Sequence, residues 1–459
     1  MQDQMASSDM TPLYDQTIKY LYDLQPIGIK FGLQNTLSLL SYFGNPHQKI
    51  RTVHVAGTNG KGSTCSMISS VLQAAGYRVG LYTSPHLVDF TERISINGLP
   101  ISQPEVVRLT EKIRQAIREG DFRSAHPTFF EVVTVMALAY FAEQQVDCAV
   151  METGMGGRLD ATNVIRPLLS IITTIDLDHQ QYLGNTLLDI AREKAGIIKE
   201  GIPLVTGAQQ PEVVQLLAEI CRARGAEMIR VPCPSPSVVR AVSQGLEGQE
   251  FEVAWPAVTL PLAWNDADAS SWQRFSIPLI GNHQIQNTLI VLAAIQTLSR
   301  SLSAGISAAQ IARGLAVTRW PGRAQVYPGS PAIMLDGAHN PAGARQLARL
   351  LESLAFPRLI LVLGIMKDKE IGGICQELVP LADRLILTRP QIDRAASAQE
   401  IMNILASRAL IPDWGRVSTA AGIPEAISMA RAMAAPGDLI CLSGSLYTVG
   451  EAKVFLDAL

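Results

Sequence analysis

Eight consecutive residues, Gly57-Thr58-Asn59-Gly60-Lys61-Gly62-Ser63-Thr64, combine what a polyphosphate needs: small residues that leave backbone N–H groups open, and a lysine. An apolar run of β character precedes them over 51–57. Helical spacing follows over 62–75 and is stopped by Gly76. The order is therefore strand, phosphate loop, helix, with the helix dipole and the loop amides facing an anion and Lys61 as a mobile charge for its terminal phosphates. The segment departs from the usual phosphate-loop pattern because Gly62 stands where a Ser or Thr ordinarily follows the lysine. A hydroxyl for magnesium is then to be sought elsewhere. The bland alternative is a glycine-rich turn with an incidental lysine.

Other residues carry chemistry only in context. Glu152 closes an apolar run and is followed by glycines, which puts a carboxylate at the carboxyl edge of a sheet, where a doubly wound fold binds ligand and magnesium is suited. A helix-cap or surface acid explains it equally well. His179 alone is ambiguous, since imidazole is more typical of zinc than of magnesium sites. Lys194 falls in a stretch over 187–199 that looks amphipathic, so a solvated lysine is its plain reading. His283 and Asn287 are one helical turn apart and can face one ligand, or can simply form a polar helix start. Asp336 and His339 follow a strand and occupy a loop at its carboxyl end, where ligands bind, yet an Asx turn ending at Pro341 accounts for them as well. Arg323, after Pro321-Gly322, is otherwise a linker arginine.

The elements that must position these residues alternate. Further strands are expected at 78–83, 147–152 and 168–175, with helices at 103–119 and 127–143 between them. This predicts an α/β fold with a mainly parallel sheet covered by helices. The stretch 92–101 alternates in period two around Asn97-Gly98, a small hairpin. The region 232–268, rich in Pro, Gly and polar residues, is assigned to irregular or antiparallel structure. The α/β rhythm resumes with strands at 332–336, 358–364, 383–388 and 438–443, a second and smaller Rossmann-like domain. Domains are expected at 1–319 and 320–459.

The chain has 459 residues, enough for two or three domains. Its 47% hydrophobic and 17% charged residues are those of a packed protein. A formal charge of −3 gives no basic field for nucleic acid or an anionic membrane, so small ligands are expected. The start lacks the basic-then-apolar pattern of a signal peptide, and the apolar stretch 132–142 is too short to span a bilayer. Six scattered cysteines with no C-x-x-C pair read as reduced, buried thiols. A cytoplasmic enzyme, taken as a monomer, is expected.

The phosphate loop resembles that of the folylpolyglutamate synthase and dihydrofolate synthase family, which belongs with the Mur peptide ligases. The likeness continues in Thr83-Ser84-Pro85-His86-Leu87, the run from Glu152-Thr153-Gly154 through Asp160-Ala161-Thr162-Asn163, and Asp178-His179-Gln180. It extends to Glu193-Lys194-Ala195-Gly196-Ile197, Trp320-Pro321-Gly322-Arg323, Asp336-Gly337-Ala338-His339-Asn340-Pro341 and Ser443-Gly444-Ser445-Leu446-Tyr447, essentially the whole chain. The resemblance implies ATP held by Gly57, Thr58, Asn59, Gly60, Lys61, Gly62 and Ser63, with Asn287 at the adenine, Asp336 at the ribose and Arg323 at the phosphates. It implies Mg²⁺ on Ser84, Glu152 and His179, and a carbamylated Lys194 that helps hold a second Mg²⁺. His339 is placed near the incoming glutamate, with Ser445 and Tyr447 in its pocket. Gly28-Ile29-Lys30-Phe31-Gly32-Leu33 resembles the family's N-terminal substrate loop.

Arg158, Asp160 and Asn163 then form a polar group able to orient a pterin and its carboxylate-bearing portion. Phe129 and Phe130 either stack a ring or are plain core. The implied reaction is ligation of L-glutamate to dihydropteroate and to folate polyglutamates, through an acyl phosphate formed from ATP, with Lys61, Lys194, Arg323 and His339 taking part. The second domain is expected to close over the first to exclude water. Alternatives are a folylpolyglutamate synthase alone, a Mur-type ligase acting on a cell-wall precursor, or a phosphate-loop nucleotide switch. The last lacks a guanine-reading Asn-Lys-x-Asp motif.

Overall fold

In a computed structural model, residues 2–24, 32–120, 122, 126–254, 272–302, 305–411 and 413–459 are described. Contacts divide the chain into two units. The first comprises Met1–Cys233, Ala254–Trp272 and Gln286–Leu315; the second comprises Pro234–Val253, Gln273–Ile285 and Ala316–Leu459.

The first unit is built on an eight-stranded sheet of β1 (Thr52–Ala56), β2 (Val79–Tyr82), β3 (Ile94–Ile96), β4 (Leu99–Pro100), β5 (Cys148–Glu152), β6 (Leu169–Ile172), β7 (Leu204–Thr206) and β8 (Met228–Arg230), ordered β4-β3-β2-β5-β1-β6-β7-β8. Strands β1, β5 and β6 are buried throughout, because a parallel sheet covered on both faces has no solvent side, and this is why they read as unbroken apolar runs. The hairpin expected at 92–101 is β3–β4, antiparallel, turning through Asn97 (φ 49°) and Gly98 (φ 76°) as a two-residue turn of the primed kind requires. Strands β7 and β8, three residues each, were not legible in the sequence. Helix Phe129–Glu143 starts on a capping box in which Thr128 accepts from Glu131 N and the Glu131 carboxylate accepts from Thr128 N. Its Val132, Met136 and Phe141 share a core with Tyr82 and Met151. A second core joins Ala56, Ile172 and Leu204 to Ile190 and Leu217 of the helices Leu187–Lys194 and Pro211–Ala223.

The second unit holds two sheets. β9 (Val239–Gly245), β10 (Gly248–Ala254) and β11 (Trp272–Ile277) are ordered β11-β10-β9, with β9 and β10 antiparallel, which gives regular structure to part of the proline-rich region. β12 (Gln325–Tyr327), β13 (Ala332–Leu335), β14 (Leu359–Leu363), β15 (Arg384–Leu387), β16 (Val417–Thr419) and β17 (Leu439–Ser443) are ordered β12-β13-β17-β14-β15-β16, parallel except for β12. The second unit thus also takes 234–253 and 273–285, well upstream of residue 320.

All six cysteines are free, and five are buried. Cys233 corrects the expectation, being exposed in a loop between β8 and β9. Among the described residues no helix is long and apolar enough to cross a membrane.

Candidate active site

The site of the first unit lies where β1, β5 and β6 end. Chain order reverses there: β1 is followed across β5 by β2, while β5 is followed across β1 by β6. Gly57, directly after β1, has φ 154°, and a Cβ there would stand 1.8 Å from Thr173 Oγ1, so no larger residue fits. The loop is fastened to the segment after β6. Thr58 N donates to Thr174 O (2.7 Å), Asn59 N to Thr174 Oγ1 (3.2 Å), Asp176 N to Thr58 Oγ1 (3.0 Å), and Thr173 Oγ1 to Asn59 O (2.7 Å). Helix Lys61–Ala74 begins immediately, with no side chain capping it. Lys61 Nζ folds back onto Gly57 O (3.0 Å) and Thr58 O (3.2 Å), which keeps its charge at the loop.

Lys194 corrects its plain reading. Helix Leu187–Lys194 is followed at once by a 3₁₀ turn, Ala195–Ile197, instead of running to 199. The turn forms because Gly196 packs against the backbone of Arg158, where a Cβ would come within 2.2 Å of Arg158 Cα. Lys194 is consequently 4% exposed, and its Nζ donates to Gly57 O at 2.9 Å. Burial, reinforced by the charge of Lys61 and opposed by Asp178 and Asp160, lowers its pKa to about 7. Asp178, given no role from sequence, is thus a counter-charge of this centre. Its only signal was a place beside His179.

Glu152 ends β5, is 4% exposed, and accepts from Ser84 N at 3.1 Å, so it is neither a surface acid nor a helix cap. His179 lies in the loop after β6 with φ 50°, its Nε2 3.8 Å from Asp178 Oδ2. Magnesium keeps several waters and takes one or two carboxylates beside phosphate oxygens. A buried hard-oxygen carboxylate at the phosphate loop fits that need. Asn287, 3% exposed, lies with its amide against Gly60 of the loop.

The 158–163 group does internal work. Arg158 is exposed and pairs with Glu193 at 2.8 Å. Asp160 is buried, which raises its pKa, and accepts from Met155 N (2.9 Å), Thr162 N (3.0 Å) and Thr162 Oγ1. Because Thr162 gives its proton to Asp160, its oxygen accepts from His54 Nε2 at 2.8 Å, tying the turn to β1. Asn163 Nδ2 donates to Arg158 O (2.9 Å) and Gly196 O (3.3 Å). Phe130 packs on Gly154, and Phe129 stacks on Tyr22 (centroids 5.6 Å apart) under the Arg93 guanidinium at 5.2 Å. Arg93 Nε donates to His86 Nδ1 (2.8 Å), and His86 Nε2 meets Tyr22 OH (3.2 Å). This aromatic and cationic cluster beside Ser84 escaped the sequence, since its members are spread from 22 to 129. Of the N-terminal loop, residues 28–31 lie outside the described residues.

In the second unit, Asp336 after β13 is buried, which raises its pKa against the pull of Arg323. It accepts from Ala324 N and Ala338 N, both at 2.9 Å. The second of these bonds closes an Asx turn over 336–338, earlier than the expected end at Pro341, and the first ties that turn to the segment after Arg323. Arg323 lies over Gly337. His283 belongs with this group: burial and then Arg323 lower its pKa to about 4. His339 Nδ1 faces Gly337 O at 2.9 Å; a carbonyl only accepts, so Nδ1 carries the proton and Nε2 is the basic nitrogen. Ser445 caps helix Leu446–Asp457, accepting from Thr448 N at 3.0 Å. Tyr447 is 40% exposed and accepts from Arg394 NH2 at 2.9 Å.

Residues 55–295 match the model of the Mur ligase middle domain, and 322–446 that of the Mur ligase glutamate ligase domain. The dihydrofolate synthase/folylpolyglutamate synthase of Bacillus subtilis (strain 168) is 34% identical over 449 residues, 97% of this chain and 99% of that one. Among solved structures, Mycobacterium tuberculosis folylpolyglutamate synthase complexed with ADP and AMPPCP superposes with a TM-score of 0.84 at 31% identity, covering 97% of this chain and 98% of that one. E. coli FolC in complex with DHPP and ADP gives 0.81 at 29%, covering 96% and 98%.

Proposed function

The chain belongs to the Mur ligase family, among its dihydrofolate synthase/folylpolyglutamate synthase members, and is an ATP-dependent, ADP-forming ligase; from that premise we propose that it is bifunctional. It joins L-glutamate to dihydropteroate and also extends tetrahydrofolate polyglutamates. The observation that carries the ligase reading is the pair of lysines, Lys61 and Lys194, that both bond Gly57 O; the bifunctional reading rests on the Asp160-Ala161-Thr162-Asn163 run after Glu152.

A free carboxylate is a poor acyl donor. In the first step one of its oxygens attacks the γ-phosphorus of ATP, the bond from that phosphorus to the bridging oxygen breaks, and ADP leaves. Lys61 and the amides at the start of helix Lys61–Ala74 neutralise charge on the transferring oxygens. In the second step the α-amino group of L-glutamate attacks the acyl carbon, the C–O bond to phosphate breaks with its electron pair, and the nitrogen loses a proton. His339, held with Nε2 basic, is the group we assign to that proton. Ser445 and Tyr447 are assigned to glutamate, and the 158–163 turn with Phe129 to the pterin acceptor.

Mg²⁺, when bound, neutralises phosphoryl oxygens. Glu152 with Ser84 and His179 would hold one ion, and Lys194 as a carbamate a second. A lysine titrating near 7 is partly neutral at physiological pH and so nucleophilic toward CO₂.

The test is ADP release and product mass from purified protein with ATP, L-glutamate and either dihydropteroate or tetrahydrofolate. Turnover with both is expected. ADP release with tetrahydrofolate alone would reduce the activity to polyglutamate extension.

A further inference from the structure

Strands β1, β6, β7 and β8 run parallel, so the segments that lead into the last three meet at the amino edge of the eight-stranded sheet, opposite the edge that carries the phosphate loop. Each of those segments brings one cation to the same place. The turn before β7, closed by Ile202 N donating to Lys199 O (3.1 Å) with Gly201 at φ 70°, carries Lys199. Arg166, before β6, reaches this turn with NH2 on Glu200 O at 3.1 Å. Arg224, between helix Pro211–Ala223 and β8, reaches it with NH1 on Ile198 O and on Ala195 O (3.4 Å), while its own carbonyl accepts from Gly201 N at 2.9 Å. Three positive side chains therefore converge on residues 198–200.

Their hydrogen-bond acceptors are all carbonyl oxygens, Lys199 Nζ taking Asn163 O at 2.9 Å. A carbonyl satisfies a donor but does not cancel a charge. Other arginines of the same unit have acids: Arg108 has Glu105 and Glu143, Arg158 has Glu193, and Arg300 has Glu227. Arg166, Lys199 and Arg224 form no ion pair among the described residues, and Glu200, the acid within the turn, contributes only its carbonyl. The excess charge weighs on Lys199, whose pKa is lowered to about 8 by burial and then by Arg224 and Arg166. From β1, the buried imidazole of His54 adds no charge, since burial and then Lys199 lower its pKa to about 3. Lys199 and Arg224 are half-buried and Arg166 is exposed, so the cluster opens to solvent. Two guanidinium forks and an ammonium on a fixed turn, short of negative charge, suit a tetrahedral dianion whose oxygens accept from all three.

We propose that Arg166, Lys199 and Arg224 form a binding site for a phosphoryl group at the amino edge of the sheet, separate from the phosphate loop, and that the bound anion acts on the 158–163 turn through Lys199. The route is short. Lys199 holds Asn163 O, and Asn163 Nδ2 holds Arg158 O and Gly196 O, so an anion that competes for the Lys199 ammonium loosens the turn assigned above to the pterin acceptor.

Calorimetry tests the site with the phosphate loop filled by Mg²⁺ and AMPPCP, so that added phosphate has to bind elsewhere. Inorganic phosphate and glycerol 3-phosphate, titrated separately, distinguish the free anion from a phosphomonoester, and whichever binds should do so at one per chain. Arg166→Glu, a change at an exposed side chain, should weaken binding by roughly tenfold or more, and Lys199→Met likewise. At pH 8 about half of the Lys199 side chains are neutral, so binding to the parent protein should take up protons there and not at pH 6, read from buffers of different ionisation enthalpy. Absence of heat with both anions would overturn the site, as would equal affinities in the parent and both variants, the mark of an adventitious ion only. These binding measurements need no turnover, so they stand apart from any failure of the ligase reading. In ADP-release kinetics, phosphate should raise KM for the pterin more in the parent than in Arg166→Glu, while its competition with ATP at the phosphate loop is the same in both. An equal rise in the two proteins would overturn the action on the turn.

Discussion

A lysine sealed against a carbonyl oxygen, with a second ammonium beside it, holds its proton weakly, and Lys194 is such a residue, with its pKa lowered to about 7 by burial and Lys61. Carbamate formation needs the neutral amine, whose nitrogen attacks CO₂ and releases a proton. In bicarbonate buffer, ADP release should therefore climb as pH rises through about 7. Scrupulous CO₂ removal should depress it, and Lys194→Arg should abolish the response. Indifference to CO₂ across pH 6–8 would sink the carbamate. The same shift has a stability sign: between about 7 and the ordinary lysine value of 10.5 the unfolded chain binds the proton more than the folded one, so stability rises with pH across that window. A urea titration of Lys194→Met against the parent chain should show the flatter slope. Gly57 makes a second residue-scale case: in Gly57→Ala the new methyl would enter Thr173 Oγ1, and calorimetry should show ADP affinity reduced at least tenfold (on the order of 1.4 kcal/mol). Residue types and spacing announced the phosphate loop plainly. They could not announce that Lys194 is buried, because an amphipathic run looks the same whether it ends at 194 or 199, and only the approach of Gly196 to Arg158 ends it.

Elements of the first unit were readable where a strand is buried on both faces or a helix buries one apolar face. β1, β5 and helix Gln103–Glu119 lie where apolar runs and helical period put them, whereas β7 and β8 are too short for any periodicity to speak. β6 stops at Ile172 although its apolar and β-branched run goes on to 175, since Thr173, Thr174 and Asp176 bond the phosphate loop instead of continuing the ladder. The 153–164 turn shows the same economy of polar groups. Its motif was visible, but not that Asp160 serves the turn itself through Thr162, with His54 of β1 behind it. Thr162→Val should leave a buried imidazole N–H without its acceptor and a buried carboxylate short of a donor, costing about 1–3 kcal/mol in denaturant unfolding. If the turn shapes the acceptor pocket, KM for the pterin should rise more than KM for ATP, and Thr162→Ser should restore both. Equal changes in the two KM values would confine Thr162 to stability.

For the whole molecule, the alternation of strands and helices gave away two α/β units, yet a single cut near 320 misses how the chain is shared. It passes between units at 233/234, 253/254, 272/273, 285/286 and 315/316. No local pattern encodes this, because an excursion of 20 residues has the same composition whichever core receives it. Ile280 marks the consequence. It lies forty residues before the expected boundary at 320, but is 1% exposed and packs in the core of Met334, Leu347, Leu361 and Cys441. Gln249 Nε2 secures the same stretch by donating to Leu279 O (2.9 Å) and Gly281 O (3.0 Å). Ile280→Ala should cost about 2–5 kcal/mol, as for other buried aliphatic truncations, and the loss should fall on the second unit. Hydrogen exchange in the full-length chain reads this directly: amides of β13, β14 and β17 should lose protection, while those of β1, β5 and β6 keep theirs. Loss of protection in β1 and β5 instead would mean that Ile280 stabilises the first unit, and that 273–285 belongs to that core after all.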